Sequence, residues 1–75
     1  MDISNKEMTK LQQYLQGKFS NKNISLRERS QARDSVEVLL NGEFIGVIYK
    51  DDEDAEDVSY DFNMAILNID LESAA

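Results

Sequence analysis

SVEVLLNGEFIGVIYKDDEDAEDVSYDFNMAI, residues 35–66, decides the fold. Two runs rich in β-branched and aromatic residues, 35–40 and 43–50, flank Asn41-Gly42. That dipeptide supplies the two positive-φ residues of a type I′ hairpin turn. An acidic connection follows over 51–57. Val58, Tyr60, Phe62, Met64 and Ile66 then alternate with Ser59, Asp61, Asn63 and Ala65, the period-2 pattern of a further strand.

A two-residue turn sets the register of a regular hairpin. Leu40 falls opposite Glu43, Val38 opposite Ile45 and Val36 opposite Val47, and Asp34 opposite Tyr49. That β-branched face is expected to meet a helix. The other face pairs Leu39 with Phe44, Glu37 with Gly46 and Ser35 with Ile48, which leaves Leu39, Phe44 and Ile48 as an apolar diagonal. Gly46 within a strand marks a bulge or a close backbone approach. Beyond Ile66 the alternation slips, and Leu67, Ile69 and Leu71 resume it. A long last strand with a bulge at Ile66-Leu67 explains both halves. A helix over about Phe62–Leu71 competes; it would be apolar almost all round, with Asp70 and Glu72 against its C-terminal dipole.

Upstream, Ser4 and Glu7 have the spacing of a capping box, and Ile3 and Met8 that of a hydrophobic staple. Met8, Leu11, Leu15 and Phe19 follow at helical steps, so an amphipathic helix is expected to about residue 19. Gly17 either caps it or sits inside its last turn. Ile24 and Leu26 alternate with Ser25 and Arg27 in a short first strand over 23–29. The fold class is therefore α+β: an N-terminal amphipathic helix packed on an antiparallel meander of about four strands, the last long and bulged, or ending in a short helix. Leu11, Leu15, Phe19, Val36, Val38, Ile45, Val47, Tyr60 and Phe62 are the expected core.

The chain has 75 residues, which allows one small α+β domain over 1–75. Such a domain buries roughly 60% of its unfolded surface. With neither cysteine nor histidine, disulfides and Cys/His zinc sites are excluded, and association is the remaining aid to stability. Nothing resembles a membrane span or a signal peptide, so a cytoplasmic protein is expected. The net charge of −7 is split unevenly. Residues 1–33 carry seven basic and three acidic side chains (+4), and residues 34–75 carry Lys50 against twelve carboxylates (−11).

Little chemistry is visible. Residues 51–57, DDEDAED, hold six carboxylates. Counted from Asp52, Asp57 and Asn63 stand where an EF-hand needs glycine and glutamate. A solvated hairpin loop is the expected reading; weak divalent-cation binding there ranks third among the functional readings, behind an interaction protein and an RNA-binding module, and no metal site or cofactor is expected. The glycines match no phosphate-binding pattern, and an enzyme is not expected. Arg27, Arg29 and Arg33 could form the basic edge of an RNA-binding module, though no aromatic is interleaved for base stacking. The expectation that leads is a non-enzymatic interaction protein, binding itself or a protein partner through Leu39, Phe44 and Ile48.

KLQQYLQGKF (10–19), NISLRER (23–29) and residues 34–71 together resemble a family of short alphaproteobacterial proteins classed as domain of unknown function number 3126. GEFIGV (42–47) and SYDFNMAIL (59–67) carry the resemblance most specifically. Gly17 and the neutral pair Leu39-Leu40 depart from it. The resemblance implies a cytoplasmic bacterial protein and supplies no activity, cofactor or site.

Overall fold

A computed structural model describes residues 3–73. The order is α1 (Asn5–Lys18), β1 (Ile24–Arg29), β2 (Ala32–Leu40), β3 (Glu43–Asp51), β4 (Ser59–Met64) and α2 (Asn68–Ser73). The strands form one antiparallel meander, β1-β2-β3-β4, with α1 on one face.

Both ends of α1 are closed by local chemistry. Ser4 Oγ accepts from the Glu7 N–H (3.1 Å), and Glu7 Oε1 accepts from the Ser4 N–H (3.0 Å), completing the capping box. Ile3, just before the cap, is buried in the core, and Met8 packs against that core. At the other end the Asn21 N–H reaches the Gln16 carbonyl (2.9 Å) and the Ser20 N–H the Gly17 carbonyl (3.3 Å). This is a Schellman closure, whose left-handed residue is usually glycine. Here Ser20 takes that position, at φ 50°, and Gly17 lies inside the last turn. Phe19, expected in the core, follows the helix and stays 55% exposed.

The hairpin turn is as the sequence predicts, with Asn41 at φ 53° and Gly42 at φ 81°. Beyond it the register departs from the regular one. Leu40 faces Glu43 and Leu39 faces Phe44, but Val38 then faces Gly46, Glu37 faces Val47 and Val36 faces Ile48. Ile45 is the extra residue of a β-bulge. From Gly46 onward β3 is therefore turned over relative to the regular hairpin. Ile48, expected on the second face with Leu39 and Phe44, lies in the core at 2% exposure, beside Val36 and Val38. Val47, expected in the core, moves to the opposite face. Ile45 still packs against the core because both residues of a bulge approach one side of the sheet. Gly46 makes the arrangement possible: a Cβ there would stand 2.5 Å from both the Asn63 carbonyl oxygen and the Phe62 ring.

The last strand is shorter than the favoured reading. β4 stops at Met64, opposite Gly46, and residues 65–67 lead into the short helix α2. Asp70 explains the switch. Its carboxylate accepts from the Leu67 N–H (3.0 Å), and its own N–H donates to the Leu67 carbonyl (2.9 Å). Asp70 thus lies in the first turn, where the helix dipole favours negative charge, rather than in the last.

The register makes a sharp contrast between neighbours. Ile48→Ala should destabilise the domain by about 2–4 kcal/mol, and Val47→Ala by less than about 1 kcal/mol, in urea melts. Equal losses would contradict the bulge. Ser20→Gly should stabilise by about 0.5–1 kcal/mol, because glycine takes the left-handed conformation without Cβ strain.

Candidate interaction surfaces

α1 is held to the sheet along two lines of polar contact. On one side the glutamines at 12 and 16, one turn apart, reach the outer edge of β1. Gln12 Oε1 accepts from the Leu26 N–H (3.0 Å), and Gln16 Nε2 donates to the Ile24 carbonyl (2.9 Å). These bonds occupy backbone groups that an edge strand would otherwise leave open. On the other side Glu7 Oε2 receives Lys50 Nζ at 2.7 Å and the Tyr60 hydroxyl, tying the first turn of α1 to β3 and β4. Lys50 and Tyr60 face each other across those strands.

One helix does not cover the whole core face. Between α1 and the β3–β4 half runs an open groove of about 330 Å³, lined by Leu11, Tyr14, Leu15, Ile48, Tyr60 and Phe62. Tyr60, expected in the core, sits at its rim, 37% exposed.

The larger apolar surface belongs to the C-terminal segment. Met64, Ile66, Leu67, Ile69 and Leu71 are each between 55% and 66% exposed. Sequence periodicity placed these side chains in a strand. The signal it passed over was four aliphatic residues within six positions, just after the phase break at Ile66-Leu67.

The sheet face chosen from the sequence is less open than expected. Its diagonal is broken, because Ile48 faces the other way. Leu39 is 9% exposed within the fold, leaving Phe44 at 51% and Tyr49 at 42% as its accessible apolar groups. Two of the basic residues are engaged by β2. Arg27 Nε donates to Glu37 Oε1 at 2.7 Å, directly across β1 and β2. Arg29 Nη1 donates to the buried Ser35 hydroxyl at 3.1 Å. The Arg33 side chain lies outside the described ones. In the acidic loop the Asp51 and Asp54 carboxylates accept from the backbone N–H groups of Glu53 and Glu56, forming local turns. Among the described residues no three acidic side chains converge as metal ligands. None of the described helices is long and apolar enough to cross a membrane.

The Glu7 cluster is the most strongly perturbed set of titratable groups. Lys50, above all, together with the Ser4 N–H and the Tyr60 hydroxyl, holds the Glu7 carboxyl down from 4.5 to about 2. Glu7 in turn raises the pKa of Lys50 and of Tyr60 through its hydrogen bonds. Because the folded value of Glu7 is depressed, its contribution to stability is complete above about pH 4.5 and is lost as pH falls toward about 2. Glu7→Gln should therefore flatten the fall of the urea midpoint across that interval. A midpoint falling as steeply as in the parent chain would show that Glu7 is not the group responsible.

Neither a curated protein nor a solved structure matches the chain. The family described as Protein of unknown function (DUF3126) matches residues 7–70, from the glutamate that anchors α1 to the aspartate that caps α2. With nearly its whole length matched, the chain belongs to that family.

Proposed function

We propose that this chain is a small non-enzymatic interaction protein that binds itself or a protein partner through apolar surface left uncovered by its own fold. The observation that carries this reading is the C-terminal segment, where Ile66, Leu67, Ile69 and Leu71 are all more than half exposed. Scattered apolar side chains are ordinary on a protein surface, whereas a contiguous patch of several hundred Å² marks a contact site. The exposed surface of Leu39 and Phe44 is secondary, since Leu39 is already largely covered.

The electrostatics support the non-enzymatic part. A general acid or base works best with a pKa near the operating pH. Glu7 is lowered, while Lys50 and Tyr60 are raised, so each moves away from neutrality. The RNA-binding alternative has less support: Arg27 and Arg29 are engaged within the sheet, and a net charge of −7 opposes phosphate binding. We place the protein in the bacterial cytoplasm, as the family resemblance implies, a location compatible with its cysteine-free composition.

The test is the size of the native particle. A tagged chain in a lysate of cells expressing it should elute well above its 8.6 kDa monomer mass. Ile66→Asp with Leu67→Asp should return it to monomer size while leaving the far-UV circular dichroism unchanged. If the parent chain itself elutes as a monomer, the interaction reading fails.

A further inference from the structure

We propose that the occupant of the groove between α1 and the β3–β4 half of the sheet is the C-terminal segment, residues 66–71, of a second copy of this chain. The proposal rests on the interaction reading above and names the partner.

Three features point to a second copy. The first is direction. β4 passes the groove at Tyr60 and Phe62, then runs on to Met64, so the chain's own segment emerges beyond the groove. β4 pairs with β3 alone, so its outer edge faces away from the sheet. A two-fold axis beside that edge sets the two β4 strands antiparallel. Each segment then emerges beside Ser59 and Tyr60 of the other copy, at the mouth of the other groove. The opposite edge of the sheet is closed to such an approach by Gln12 and Gln16.

The second feature is charge. Tyr14 lines the groove, and Lys10 and Lys18 lie one turn to either side of it on the same row of α1. All three are exposed. The segment carries Asp70 and Glu72 among its aliphatic residues. An acidic, apolar helix thus meets an apolar groove with a basic rim.

Area is the third. Burying a leucine-sized side chain removes on the order of 100 Å² of apolar surface. The four aliphatic side chains of the segment, Ile66, Leu67, Ile69 and Leu71, are 58–66% exposed and so supply roughly 250 Å². Reciprocal exchange adds the groove surface of the same copy, including Tyr14 at 63% exposure. The total stays below the ~800 Å² per partner of a standard interface, the size of a weak, concentration-dependent dimer.

The purified chain tests this directly. Sedimentation equilibrium should give a dimer, and Leu67→Asp should raise its dissociation constant by about tenfold or more. Because the chain has no cysteine, single-cysteine variants report the geometry. Tyr14→Cys mixed with Leu71→Cys, under mild oxidation, should give disulfide-linked heterodimer at least tenfold faster than either variant alone gives homodimer. A dimer that Leu67→Asp leaves unchanged, or equal rates of hetero- and homodimer formation, would overturn the proposal. So would a double variant, Tyr14→Cys with Leu71→Cys, that closes within one chain at the expense of the interchain product, since that would put the segment in its own groove. A purified monomer beside a large particle in lysate would overturn the second copy and leave the interaction reading standing. A monomer in both would overturn both.

Discussion

The contribution of β3 to the helix-facing side of the sheet depends on the bulge at Ile45. One unpaired residue inverts the rest of β3, brings Ile48 into the core and turns Val47 away. The bulge in turn depends on Gly46 having no side chain, because the Phe62 ring and the Asn63 carbonyl occupy the space a Cβ would need. Glycine here serves close approach, not a positive φ. The exchange of Val47 for Ile48 places the larger side chain in the centre of a thin core. In a domain this small, where net stability is only about 3–5 kcal/mol, that choice carries weight.

The second constraint is the docking of α1. Apolar contact alone would let a single amphipathic helix slide or rotate on a four-stranded sheet. Directional polar contacts fix it instead: Gln12 and Gln16 on the edge of β1, and Glu7 on Lys50 and Tyr60. Glu7 also closes the capping box, so one carboxylate serves both the start of the helix and its seat on the sheet. The same geometry leaves the β3–β4 half of the core face without a helix above it. A segment with the composition to fill such a space exists in the chain, and it begins where β4 ends.

Much of the fold is legible in the sequence. The capping box, the turn at Asn41-Gly42 and the apolar stripe of α1 rest on contacts within a few residues, so local sequence suffices for them. Sheet order followed as well, because short connections between successive strands favour a meander. Gly46 was visible as an irregularity. Its effect was not, since whether a strand glycine marks a bulge depends on what stands across from it, here Phe62 and Asn63 on β4, some sixteen residues away. Val36 and Val38 keep the expected face and Leu39 still faces Phe44, but β3 from Gly46 onward is reversed for that reason, which removes Ile48 from the group with Leu39 and Phe44.

The end of the chain shows the same division. Alternation of Leu67, Ile69 and Leu71 fits a strand, and their spacing also fits a short helix; period alone does not separate the two over so few residues. Asp70 capping Leu67 selects the helix. By itself the sequence determined the helix–meander architecture, the family and the acidic balance of the second half, because these depend on composition and near neighbours. Only the tertiary structure decided that Ile48 rather than Val47 joins Leu15, Val36 and Val38 in the core, because one inserted residue in β3 reverses a face and no local pattern records it.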